Sequence, residues 1–225
     1  MAFFTDAEFE KTCRELVSEK PDLNSEEGWE FFVESHDVTI YRLYNKESGL
    51  YQYKIFGVLS DVAPDICAKV YMDIEYRKKW DSYVNELKEV HEGDRSGIYW
   101  QINYPFFMSN RDYVYARELR EIDYEGHHIW VVLAQSKEFP SEPARSGVIR
   151  VSDYVQSAAL MSDGKGGTKA FMWYYDNPGG SIPTWLINWA AKTGVPGFLS
   201  QMQEACRGYP KYLEKKSAKG ATLSS

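Results

Sequence analysis

The sequence predicts one α+β domain built on an antiparallel sheet. Three features of its 225 residues predict it. Helical periodicity comes first, then strand runs, another helix, more strand runs and a long amphipathic stretch. There is no βαβ alternation and no internal repeat. No Gly/Ser/Pro-rich linker divides the chain, so residues 1–216 are read as one domain. The tail, 217–225, has no core-forming content and is expected to be disordered. A chain of this length buries about 70% of its unfolded surface and needs no covalent staples.

The elements follow in order. Thr5-Asp6-Ala7-Glu8 fits a capping box, with Thr5 as N-cap. Phe9, Cys13, Leu16 and Val17 repeat at helical spacing, and Pro21 ends the helix. Asn24 or Ser25 caps a second short helix carrying Trp29, Phe32 and Val33. Residues 38–44 and 50–59 are β-prone runs joined by a turn cluster at 45–49, a hairpin signal. Asp61 and Pro64 break the strand, and 65–83 reads as one helix. Strands follow over 97–104, 113–122, 129–134, 148–159 and 169–175. Pro183 stands where a helical turn begins, leading into Trp185, Leu186, Ile187 and Trp189. Gly194, Pro196 and Gly197 interrupt this pattern, and a break or kink is expected at Pro196. Val195, Phe198, Leu199, Met202, Cys206, Tyr209 and Leu213 then sustain one apolar face. Gly208 and Pro210 are candidate ends of that helix, and four lysines cluster nearby.

Composition excludes several classes. The 26 Lys and Arg against 33 Asp and Glu give a formal charge of -7. Such a chain is a poor sequence-independent nucleic-acid binder, so no nucleic-acid partner is expected. No signal-like run and no bilayer-spanning apolar stretch is present. Cys13, Cys67 and Cys206 are far apart and form no CxxC pair. They argue against a disulfide scaffold or zinc module and fit a reducing compartment. The expectation is a soluble, monomeric, cytoplasmic protein. The unusual feature is the 17 Tyr, 11 Phe and 7 Trp in a chain whose mean hydropathy is -0.50. Rings with polar tips suit a core rim, a ligand pocket or a membrane interface.

Catalytic signatures are missing. No GxSxG, HExxH, P-loop or GxGxxG occurs. His127 and His128 flank a hairpin turn, and adjacent strand residues point to opposite faces, which disfavours one shared metal. His36 and His91 stand among polar residues and are expected to be exposed. The cysteines sit in helices, where thiols serve as inert packing. The glycine-rich segment 164–167 joins two strands and is a turn, not a phosphate cradle. No enzyme activity, metal or cofactor is expected.

Arg77 and Asp81 are four apart and share a helix face. One reading is a solvated pair worth a few tenths of a kcal/mol. The other is a buried Arg held by Asp and aimed at a phosphate. Trp100, Tyr154 and Tyr174 fall on three separate strands, and Tyr71 lies six residues before Arg77. Each ring is ordinary packing unless the sheet curls around a cavity. In that case the rings form a cage for a quaternary ammonium.

Long segments also carry a resemblance. They are IYRLYNKESGLYQYKIFGVL (40–59), VYMDIEYRKKWDSYV (70–84), YPFFMSNRDYVYAR (104–117), RSGVIRV (145–151) and FMWYYDNPGGSIPTWLINWAAKTGVPGFL (171–199). They resemble the START family of lipid-transfer domains, in its phosphatidylcholine-carrying branch, from about Phe9 to Tyr212. The resemblance implies a helix-grip fold: a curved antiparallel sheet around a lipid tunnel, closed by a long C-terminal helix. It implies that Arg77 binds the lipid phosphate with Asp81 as its partner. It assigns Trp100, Tyr154 and Tyr174 to a choline cage, with Tyr71 in the headgroup pocket. The implied function is binding one phosphatidylcholine, as cargo, and moving it between membranes. A sensor whose loaded state is read by a partner protein is the alternative. The start of the chain and its Lys/Ser-rich tail depart from the family pattern.

The interruption at 194–197 also suggests a hinge for the closing helix. Trp185, Trp189, Pro196, Phe198 and Met202 are read as a gate that contacts a membrane surface transiently, with static core packing as the other reading.

Overall fold

The computed structural model describes residues 3–21, 23, 27–35, 37–105, 108–180 and 182–222, with no side chains beyond 218. Helix α1 (Asp6–Ser18) starts on the expected capping box: Thr5 Oγ1 accepts from the Glu8 N–H, and the Glu8 carboxylate accepts from the Thr5 N–H. Residues 30–35 are not a second helix but strand β1 (Glu30–Ser35), with candidate caps Asn24 and Ser25 outside the described residues. Pairing with β2 (Val38–Asn45) overrides helical spacing there. Arg42 of β2 stacks on Phe32 at 4.4 Å and pairs with Glu30 at 2.6 Å. The hairpin from β2 to β3 (Leu50–Leu59) forms as expected, with Gly49 at φ 71° closing the turn onto the Asn45 carbonyl.

The expected helix 65–83 is two helices, α2 (Pro64–Met72) and α3 (Ile74–Trp80). Asp73 divides them because its carboxylate accepts from the Tyr76 N–H at 2.8 Å and caps the second helix. Strand β4 (Val84–Glu92) has no counterpart in the sequence reading: it is a charged edge strand that buries little besides Leu87 and Val90. Then come β5 (Arg95–Ile102), β6 (Arg111–Tyr124), β7 (His127–Ser136), β8 (Ile149–Val151), β9 (Tyr154–Ser162) and β10 (Thr168–Asp176). The expected strand 148–159 is split because β8 runs parallel to β6 while β9 pairs with β7 and β10.

The sheet order is β1-β2-β3-β10-β9-β7-β6-β5-β4, antiparallel between neighbours. Side chains alternate across it. Val131, Leu133 and Ala159 pack on α1, whereas Val132 and Leu160 pack on α2 and the C-terminal helix. The sheet therefore has α1 on one face and α2, α3 and the C-terminal helix on the other.

The C-terminal element is α4 (Thr184–Trp189), a π-helical turn (Ala190–Gly194) and α5 (Val195–Thr222). The expected break at Pro196 is absent. The chain widens into the π turn first, and Pro196 follows in the first turn of α5. Gly208 and Pro210 do not end the helix either. A Cβ on Gly208 would lie 3.0 Å from the Tyr76 hydroxyl, which donates to the Ala205 carbonyl. Gly208 is therefore a contact glycine. Tyr212 stacks on Tyr76 at 4.4 Å beyond it, and residues 217–222, read as tail, continue the helix.

Candidate functional site

Arg77 ends up inside the protein. Its Nε donates to Asp81 Oδ2 at 2.9 Å, and the two side chains are only 5% and 1% exposed. The solvated-pair reading is therefore replaced by a buried ion pair. Asp81 follows the last turn of α3, its extended backbone donating to the Arg77 carbonyl while Oδ1 accepts from the Tyr83 N–H. Burial pulls the Arg77 pKa down, but the Asp81 carboxylate together with the Tyr71 and Tyr115 phenols outweighs it, and the group stays charged. Asp81 occupies Nε alone. The two Nη groups make no hydrogen bond among the described residues. A desolvated guanidinium with free donors is prepared for an oxyanion.

Rings surround it. Arg77 Cζ lies 5.4 Å from the Tyr71 ring, 5.0 Å from Trp100 and 5.6 Å from Phe198. Register accounts for the next layer. Trp100 of β5 is directly opposite Tyr113 of β6, with ring centroids 5.0 Å apart. Tyr113 meets Tyr154 of β9 at 5.3 Å, and Tyr154 meets Tyr174 of β10 at 5.8 Å. The structure thus brings together Arg77, Asp81, Tyr71, Trp100, Tyr154 and Tyr174. Burial raises the Tyr113, Tyr154 and Tyr174 phenols well above their ordinary pKa, so they remain neutral rings. The Trp100 indole N–H is buried without an acceptor, a second unused donor beside Arg77.

Four residues missed in the sequence complete the cluster. Tyr113 bridges Trp100 to Tyr154. Gln156 accepts from Tyr154 Oη at 3.1 Å and donates to Tyr71 Oη. Arg117 donates to the Tyr71 and Met72 carbonyls at 3.2 and 3.0 Å, fixing the end of α2. Asp176 accepts from Tyr113 at 2.7 Å and Tyr174 at 2.9 Å. Period-2 spacing holds the available signal: Tyr113, Tyr115 and Arg117 share one strand face, as do Tyr154 with Gln156 and Tyr174 with Asp176.

The START domain model matches residues 10–211 of this chain. The chain belongs to the START domain family. This START domain is 53% identical over 208 residues to the phosphatidylcholine transfer protein of Bos taurus, covering 92% of this chain and 96% of that one. Against the Homo sapiens protein of the same name it is 52% identical over 208 residues, with the same coverage. The fold is shared with human STARD10: TM-score 0.76, 23% identity, 94% of this chain and 84% of that chain covered.

The gate candidates of this START domain fall into three environments. Met202 is buried on the core-facing side of α5. Phe198 faces inward, against Trp80 at 5.6 Å and over Arg77. Trp185 is 50% exposed, and Trp189 packs edge-on against Tyr83 at 6.5 Å. Pro196 is half-buried at the start of α5. No described helix is long and apolar enough to cross a membrane. The buried thiols of Cys67 and Cys206 face each other 3.6 Å apart where α2 meets α5. His128 bonds Asp123 and Glu121 at the β6–β7 hairpin, and no described His/Cys/Asp/Glu group suits a metal.

Proposed function

We propose that this START domain binds one phosphatidylcholine inside the space closed by α5 and carries it between membranes, as a monomer in the cytoplasm. The observation that carries the reading is the buried Arg77, tethered by one nitrogen and lying against aromatic faces. The names of its half-identical relatives support the same lipid.

The physical logic runs from cost to remedy. Each buried methylene is worth ~0.8 kcal/mol, so a two-chain lipid leaves a bilayer very slowly by itself. An apolar interior replaces the lost contacts. The headgroup carries two charges, and desolvating either without a partner is expensive. Arg77 takes the phosphate, with Asp81 holding its orientation. Trp100, Tyr113, Tyr154 and Tyr174 take the trimethylammonium on their ring faces, beside Tyr71. An ethanolamine headgroup brings N–H donors to a site of rings, which leaves them unsatisfied and disfavours it.

Phe198 lies over Arg77, and Met202 fills the apolar cluster that Phe198 packs against. Lipid entry therefore moves α5, with the π-helical turn as the hinge and Trp185 as the first ring to meet a membrane. The test is vesicle-to-vesicle movement of labelled phosphatidylcholine at catalytic protein concentrations. Rapid transfer is expected. Tight binding with negligible transfer would move the protein to the sensor class, read out by a partner.

A further inference from the structure

Asp176 stands out among the groups around the rings. It is a half-buried carboxylate at the end of β10. It accepts hydrogen bonds from two phenols, Tyr113 of β6 and Tyr174 on its own strand. No Lys or Arg among the described residues forms an ion pair with it. The base whose charge acts on it is Arg111, whose nitrogens donate to the Pro178, Ser109 and Gly179 carbonyls while its guanidinium stacks on Tyr104 at 4.2 Å. Asp153 adds a like charge nearby and holds the Tyr175 hydroxyl.

A partly desolvated carboxylate whose partners are neutral phenols still lacks a compensating charge, which a bound cation would supply. Both of its phenol donors belong to rings of the cluster beside Arg77: Tyr113 touches Trp100 and Tyr154, and Tyr174 touches Tyr154. A phenol that donates to a carboxylate has a more electron-rich ring, which strengthens the attraction of its face for a cation. The same bonds fix both rings and remove their protons as donors to anything else.

We propose that Asp176 is a specificity-determining residue, acting through Tyr113 and Tyr174 to demand a positively charged headgroup terminus. It rests on the ring-cage reading above. Arg77 alone accepts the phosphate of any phospholipid. The Asp176 charge rejects those whose headgroup ends without a cation, such as phosphatidic acid.

The experiment is competitive loading from vesicles of equimolar phosphatidylcholine and phosphatidic acid, read by mass spectrometry of the extracted protein-bound lipid. Asp176→Asn keeps acceptor geometry and removes the charge. The preference for phosphatidylcholine is expected to fall at least five-fold, with phosphatidic acid binding gained. A folded Asp176→Asn with an unchanged ratio overturns the inference. If that variant does not fold, Tyr113→Phe and Tyr174→Phe each cut the coupling while leaving the rings, and an unchanged ratio in both has the same force. Trp100→Ala in the same assay separates the two levels. A ratio moved by Trp100→Ala but not by Asp176→Asn rejects only the role of Asp176. A ratio moved by neither rejects the cage itself.

Discussion

The Phe198 ring of α5 lies over the Arg77 guanidinium, 5.6 Å from centroid to Cζ, so the C-terminal helix itself covers the buried charge. Under the proposed function this contact couples closure of α5 to headgroup binding. Phe198→Ala removes a partly buried ring and costs about 1–2 kcal/mol of stability. It also weakens the closed state relative to the open one. Faster phosphatidylcholine exchange between vesicles is expected, together with a lower melting temperature. An unchanged exchange rate in a destabilised variant contradicts the coupling.

The Arg77–Asp81 pair makes single and double substitutions behave differently. Arg77→Leu leaves the Asp81 carboxylate buried and partnered only by a backbone N–H, a loss of about 3–5 kcal/mol. Arg77→Leu combined with Asp81→Leu removes both charges and recovers most of that stability. Neither variant binds phosphatidylcholine. Urea denaturation and lipid loading measured side by side check both statements.

Cys67 and Cys206 test the proposed movement of α5. Both are buried, 0% and 2% exposed, at the α2–α5 contact. Under that proposal a thiol reagent reaches them when α5 lifts. Slow labelling in solution and faster labelling on phosphatidylcholine vesicles is expected, with Cys13 on the buried face of α1 as the internal reference. Equal acceleration at Cys13 would point to general unfolding instead.

Asp176 has a folded-state pKa above the ordinary carboxylate value, chiefly through burial, although the Tyr113 and Tyr174 hydrogen bonds oppose it. The sign follows from linkage. A carboxyl with a raised folded pKa favours the folded state when protonated, and that advantage is lost as pH rises through the folded pKa. At neutral pH the charge therefore strains the lipid-free fold. Asp176→Asn is expected to raise the lipid-free melting temperature at pH 7, with the gain shrinking on acidification. A lower melting temperature at pH 7 would contradict this assignment.

Much of this was legible in the residues, in proportion to how local each signal is. The α1 capping box and the β2–β3 turn are set by neighbours in sequence, and both form as read. Asp73 misled for the same reason in reverse. Its cap is made by a side chain that a 3.6-residue periodicity passes over, so two helices read as one. Strand β1 depends on pairing with β2, and β4 is an edge strand too charged to show a clean alternation. Arg77 and its rings were visible as residue types, but their meeting depends on register between β5, β6, β9 and β10. Tyr113 and Asp176 were missed because the hydrogen bond joining them spans 63 positions in the chain. Gly208 suggests a helix end in sequence because the tyrosine filling the space beside it comes from α3.

Native mass spectrometry after incubation with vesicles of mixed phosphatidylcholine, phosphatidylethanolamine and phosphatidic acid tests the central claim most directly. The predicted result is a single species carrying one phosphatidylcholine per chain, absent in the Arg77→Leu/Asp81→Leu variant. Lipid bound in the proportions of the vesicle, or retained by that variant, would contradict it.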